Sequence, residues 1–179
     1  MIDAHRCGRS TLDEIVRAND DDLLRYFELR MSNPADAAEA FGEMLLTAWR
    51  KRRKMPDEDT AARMWLFTTA RNVLYNARRS LSRRSEAVQR FVDEARSTAR
   101  SVEDDAQTVV REAITQLARD DAELIRLVYW DGLSIEQSAG VLCLNPSTAR
   151  SRLSRIRREL GILLQNTELS NDNTTERPH

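Results

Sequence analysis

Residues that break helices are scarce in this chain: 179 residues hold only 5 glycines and 4 prolines. Sheet proteins need turn residues at short intervals, so the shortage argues against an all-β fold. Aromatic residues are also few, while Ala, Leu, Arg and Glu dominate. That balance favours an all-α chain. No apolar run approaches the roughly 20 residues needed to cross a bilayer, so membrane insertion is not expected. The first residues, MIDAHRCGRS, lack the apolar core of a signal peptide, which points to a cytoplasmic location. Cys7 and Cys143 are the only cysteines, and neither lies in a CxxC pattern or a Cys/His cluster. Free thiols are expected. His5 with Cys7 would supply too few ligands for zinc. The sequence also lacks a Gly-rich phosphate loop, a His/Asp/Glu set at metal-ligand spacing, and a motif-borne Ser/His/Asp arrangement. Neither a cofactor nor an enzymatic reaction is therefore expected.

Net charge is −1, yet the charges are segregated. Arg50 to Lys54 is an unbroken basic run. Arg71, Arg78, Arg79, Arg83 and Arg84 form a second basic group, and Arg150 to Arg158 a third. Acid collects at Asp20-Asp21-Asp22, at Asp36/Glu39/Glu43 and at Glu103-Asp104-Asp105. Local basic patches bind phosphate even on a neutral chain. Single charge runs are usually solvated helix faces; three basic groups, two of them on patterned helices, make that reading weaker here.

Two helical modules are expected. An N-terminal extension, residues 1–21, has no assignable role. The first module spans residues 22–81, a flexible linker 82–107, the second module 108–164 and a disordered tail 165–179. Val88, Phe91 and Val92 are the few large apolar residues of the linker. In the first module one helix covers Leu12 to Met31, with a break at the aspartate run. A second starts at Asn33-Pro34, an N-cap followed by proline at the first helical position. Pro56 marks a loop, and a third helix runs from Asp59 or Thr60 to about Leu81.

On that third helix, Leu66, Phe67, Ala70, Val73, Leu74, Ala77 and Leu81 share one face at 100° per residue. The opposite face carries Trp65, Thr68, Thr69, Asn72, Tyr75, Asn76 and Arg79. Aromatics among amides, hydroxyls and arginine suit unpaired nucleic acid, since rings stack on bases and amides bond base edges. Packing of Trp65 and Tyr75 against a neighbouring element is the other reading. On the second helix, Ala37, Phe41, Met44, Leu45, Ala48 and Trp49 point inward. Asp36, Glu39, Glu43, Leu46, Thr47 and Arg50 point outward. An acidic face with an exposed leucine suits a basic protein surface, although early acids also complement the helix dipole.

The second module opens with helices at Val109 to Leu117 and Ala122 to Tyr129. Ser134-Ile135-Glu136-Gln137 matches a capping box. Ala139 is small where two helices must approach, and Asn145-Pro146 starts the last helix. There Ala149, Leu153, Ile156 and Leu160 form the buried stripe. Ser147, Ser151, Ser154 and Arg158 lie opposite, with Arg150 and Arg155 on the flanks. Short hydroxyl side chains let a helix sit deep in a major groove while arginines reach guanine edges or phosphates. This is the layout of a helix-turn-helix DNA reader.

Three segments in this order resemble the extracytoplasmic-function (ECF) sigma factors, the small two-domain members of the RNA polymerase sigma factor family. GLSIEQSAGVLCLNPSTARSRLSRIRREL is similar to their −35-reading domain. DAAEAFGEMLLTAWR is similar to their polymerase-binding helix, and ARMWLFTTARNVLYNARR to their −10 recognition helix. The resemblance implies a −35 contact set of Ser147, Thr148, Arg150, Ser151, Ser154, Arg155 and Arg158. It implies a −10 strand set of Trp65, Thr68, Asn72, Tyr75, Asn76 and Arg79, with the Arg53 to Asp59 loop helping to hold a flipped base. Asp36, Glu39, Glu43, Met44 and Leu46 would meet core RNA polymerase at its β′ clamp helices, and the β flap is the other polymerase contact implied. Promoter DNA, duplex and single-stranded, and an anti-sigma factor are the other implied partners.

The chain departs from the family pattern in three places. Glu39 stands where Asp is usual. Gly42 stands where Gln is usual, at a helix cost of about 1 kcal/mol. Cys143 takes a turn position where glycine is common, tolerable only if the backbone there avoids positive φ; it leaves a thiol near the reading helix. The competing function is a dimeric helix-turn-helix regulator that binds duplex DNA alone. A single-strand face on the third helix separates the two, because a repressor has no use for one.

Overall fold

In a computed structural model the backbone is described for residues 10–89 and 105–175, and side chains for residues 10–81 and 110–165. Every regular element among the described residues is helical. The chain divides into two compact units, Met1–Ala95 and Arg96–His179. His5, Cys7, residues 90–104 of the expected linker and residues 176–179 lie outside the described residues.

The first unit contains α1 (Leu12–Arg17), α2 (Asp20–Glu28), α3 (Pro34–Arg50), a 3-10 turn over Arg52–Lys54, and α4 (Asp59–Gln89). A capping box starts α1: the Thr11 hydroxyl accepts from the Glu14 amide, and the Glu14 carboxylate accepts from the Thr11 amide. The break comes just before the aspartate run. Asp20, Asp21 and Asp22 instead form the first turn of α2, where their charge opposes the dipole. Asn19 holds the break, donating from Nδ2 to the Ile15 carbonyl at 2.7 Å. Arg63 of α4 reaches across to Asn19 Oδ1 and to Asp22. Leu12 and Ile15 are buried and α1 lies against α4, so the end of the unassigned extension is part of this core.

Leu23, Tyr26, Phe27, Met44, Leu66 and Phe67 are the large side chains fully buried in this unit among the described residues. Tyr26 meets Phe27 and Phe67 edge-on at 5.4 and 5.8 Å, a preferred aromatic geometry. Asn33 caps α3 as expected, its Oδ1 accepting from the Ala35 amide at 2.9 Å. Glu58 caps α4 with both carboxylate oxygens, accepting from the amides of Thr60 and Ala61. Arg78 does not serve as a free surface charge: it donates to the Arg30 carbonyl at 2.6 Å and ties α4 to the end of α2.

The second unit contains α5 (Asp105–Gln116), α6 (Arg119–Tyr129), α7 (Ile135–Val141) and α8 (Pro146–Thr175). Leu124, Leu127, Val141, Leu153 and Ile156 are fully buried, and Ala139 and Ala149 are closed off where the helices approach. The capping box at Ser134 and Gln137 is formed. Gly132 turns the chain between α6 and α7 at φ +65°. The α7–α8 turn is a Schellman motif: the Leu144 amide donates to the Ala139 carbonyl and the Cys143 amide to the Gly140 carbonyl.

That motif requires a left-handed residue, and Cys143 supplies it at φ +55°. The condition under which a cysteine is readily tolerated there, a backbone that avoids positive φ, is not met, because the helix can be closed this way only by a left-handed residue at that seat. Two helices also outrun their expected ends. α4 continues to Gln89 rather than Leu81, and α8 to Thr175 rather than about Leu164. Both extensions are polar, but polarity alone does not stop a helix, and neither holds a proline.

Candidate nucleic-acid and protein-binding surfaces

The outward side of α8 is built from its own period. With Ala149, Leu153 and Ile156 buried, Ser147, Thr148, Arg150, Ser151, Ser154, Arg155 and Arg158 are all exposed. Asn145 Oδ1 accepts from both the amide and the hydroxyl of Ser147, fixing the helix start. Ser151 donates to the Thr148 carbonyl at 3.0 Å, which keeps its hydroxyl close to the helix. The arginines are not loose. Arg150 donates to Glu136 of α7 at 2.7 Å, Arg155 to Asp121 of α6 at 2.6 Å, and Arg157 to the Tyr129 hydroxyl at 2.5 Å. Asp121 is buried and also lies 3.9 Å from Arg152. Hydrogen bonding from Arg150, above all, holds the Glu136 carboxyl below its ordinary range. These tethers cross 14, 34 and 28 residues of sequence. No local spacing rule would have found Glu136, Asp121 or Tyr129.

The outward face of α4 splits into a surface part and a packed part. Asn72, Tyr75, Asn76 and Arg79 are exposed, Tyr75 by 52%. Trp65 and Thr68 are half-buried. Thr69 is buried and leaves the face. The hydroxyls of Thr68 and Thr69 both turn back on the helix, donating to the carbonyls of Met64 and Trp65. For Tyr75 the structure thus favours presentation over packing.

At the other end of α4, the Arg53 to Asp59 loop borders a cleft of about 550 Å³. Ser10 to Asp13 form its other wall, and Trp49, Arg52 and Met55 line it too. Trp49 was expected inside but is 52% exposed, because it falls at the rim of the α3 core face, with the Arg52 guanidinium 4.4 Å from its ring centroid. Sequence reading missed this pair, although an arginine three residues after a tryptophan was a local signal that could have found it.

On α3, Glu39, Glu43 and Leu46 are exposed and Asp36 is half-buried. A cleft of about 330 Å³ beside them runs to α4 and is lined by these three acids, Met31, Asn76 and Leu81. Met44 does not belong to this surface. It is fully buried, since it lies on the same stripe as Ala37, Ala40 and Ala48, so it acts on any partner only by supporting α3.

No helix among the described residues is long and apolar enough to cross a membrane, and no group of His, Cys, Asp and Glu there could hold a metal ion.

Residues 15–84 match the family described as Sigma-70 region 2, and residues 107–160 that described as Sigma-70, region 4. The chain is 31% identical over 148 residues to the ECF RNA polymerase sigma factor SigL of Mycobacterium tuberculosis, across 80% of this chain and 82% of SigL. Among solved structures it is similar to the sigma factor RpoE in complex with the anti-sigma factor NepR from Bartonella quintana. That likeness has a TM-score of 0.64 and 26% identity, covering 86% of this chain and 96% of RpoE. It shares its fold with CnrH, solved in complex with the cytosolic domain of CnrY, at a TM-score of 0.62 and 20% identity over 86% of this chain and 87% of CnrH.

Proposed function

The chain belongs to the ECF sigma factors of the sigma-70 family, and from that membership we propose how its surfaces divide the work of starting transcription. It is an RNA polymerase sigma factor that directs promoter-specific initiation. The exposed side of α8, with Ser147, Thr148, Arg150, Ser151, Ser154, Arg155 and Arg158, takes the −35 element as duplex. Asn72, Tyr75, Asn76 and Arg79 on α4, with Trp65 and Thr68 beside them, take the −10 strand once it opens. Tyr75 stacks on a base and Arg79 meets phosphate. The cleft at the Arg53 to Asp59 loop, with Trp49 and Arg52, receives a base turned out of that strand. Asp36, Glu39, Glu43 and Leu46 dock on core polymerase through charge complementarity with a basic surface. Work on polymerase supports a cytoplasmic location and action by binding rather than by bond chemistry. The RpoE–NepR complex supports an anti-sigma factor as a further partner.

The observation that carries this reading is the exposed Asn72/Tyr75/Asn76/Arg79 face in the same chain as a helix-turn-helix. A dimeric repressor needs only the second. Run-off transcription from genomic fragments with purified core polymerase, with and without this protein, tests it. Promoter-specific transcripts are expected only when the protein is present. Their absence from every template would remove the reading.

A further inference from the structure

We propose that Glu136 is a positioning residue for Arg150: it holds the guanidinium for a base edge and keeps it from acting as a general phosphate clamp. The inference rests on the assignment of α8 to the −35 duplex. Four arginines on the exposed side of α8 differ in what holds them. Arg157 is tied to a neutral hydroxyl and so keeps its full charge. Arg158 is exposed and has no ion pair among the described residues. Arg155 is tied to Asp121, a buried carboxylate that also anchors α6 to α8. Arg150 is tied to Glu136, an ion pair half-exposed on both sides, at 58% and 55%.

Glu136 is also the acid in the first turn of α7, where its charge complements the helix dipole and Ser134 bonds its carboxylate, but neither role needs Arg150. The capping box of α7 is filled by Ser134 and Gln137. Its carboxylate is not in the core and sits on a helix that, in this motif, crosses the DNA backbone. A negative charge there repels phosphate. What it gives in return is a neutralised, oriented arginine. Phosphate affinity follows the charge delivered and the counterions released, so a paired arginine gains little from phosphate. Its guanidinium still has four of five N–H donors for the O6 and N7 acceptors of guanine. Arg157 and Arg158, which form no ion pair among the described residues, supply the general attraction. Glu136 thereby trades affinity for discrimination at the base Arg150 reads.

The test uses full-length protein assembled with core RNA polymerase and a promoter library with a randomised −35 region. Wild type, Glu136→Gln, Arg150→Ala and the double variant are compared for base preference at each position and for salt dependence of binding. Gln keeps the acceptor and removes the charge, and the exposed position leaves the fold intact. Arg150→Ala is expected to abolish the preference at one or two positions. Glu136→Gln is expected to weaken it at those same positions by about 5–10-fold. It should also tighten binding to scrambled −35 duplex and steepen the salt slope by up to about 0.9. In the double variant, Glu136→Gln should change base preference no further. An unchanged preference and slope in Glu136→Gln, with Arg150→Ala altered, would overturn the inference and leave Glu136 as a helix-dipole residue only. An unchanged preference in Arg150→Ala would remove the −35 assignment and the inference with it.

Discussion

Cys143 shows how one residue can carry the cost of a motif. The turn between α7 and α8 needs a left-handed backbone, and a side chain there pushes Cβ toward the following carbonyl. Cys143→Gly removes that conflict, and the greater entropy of glycine in the unfolded chain offsets part of the gain. A net stabilisation of about 0.5–1 kcal/mol is expected, read as a raised midpoint in urea or thermal unfolding. The same residue sets a limit on sequence reasoning. The position was marked as unusual by its departure from the family pattern, but the sign of φ depends on the hydrogen bonds to Ala139 and Gly140, which only the closed turn defines. Met44 teaches the complementary lesson. Its place on the Ala37/Ala40/Ala48 stripe was legible at 100° per residue, and that stripe is the buried one.

At the scale of elements, α3 and α4 carry separate predictions. Gly42 lies inside α3, and a Cβ built there meets nothing within 4 Å. Gly42→Ala should therefore stabilise the protein by about 1 kcal/mol, by helix propensity alone. A pull-down with core polymerase should show no loss of binding. The start of α4 depends on a charge. Hydrogen bonds from Thr60, side chain first and then backbone, and from the Ala61 amide hold the Glu58 carboxyl below its ordinary 4.5. A depressed carboxyl pKa gives a contribution present above the unfolded value and lost as pH falls through the lower folded one. Wild type should thus be more stable than Glu58→Gln at pH 6–7, with the difference shrinking below pH 4.5. Parallel thermal unfolding curves across that range measure it. Helix starts at Asn33, Ser134 and Asn145 were all legible, because a cap is local chemistry within three residues. The ends of α4 and α8 were not: composition marks polarity, and a polar stretch free of proline still propagates a helix.

At the scale of the whole molecule, the proposed division of surfaces would make strand opening a binding event. Capture of the −10 strand would favour the melted promoter, while docking on polymerase would use other residues. Asn72→Ala and Tyr75→Ala should each impair open-complex formation, by on the order of 1–3 kcal/mol where a stacked base is lost. Affinity for core polymerase should stay at wild-type level. Permanganate footprinting of the −10 region, beside a polymerase-binding assay, separates the two. Normal melting by both variants would show that the exposed face of α4 is not the strand site.

The sequence by itself determined that the chain is all-helical, where most helices begin, and which residues line the exposed stripes of α4 and α8. Those follow from periodicity and capping, which act over a few residues. Tertiary structure alone decided which of those residues are available and how they are held. It buried Thr69 and Met44, turned Trp49 outward, and brought Glu136, Asp121 and Tyr129 onto the arginines of α8. Such contacts join residues far apart in the chain. They exist only once packing of α6, α7 and α8 has fixed the distances between their surfaces.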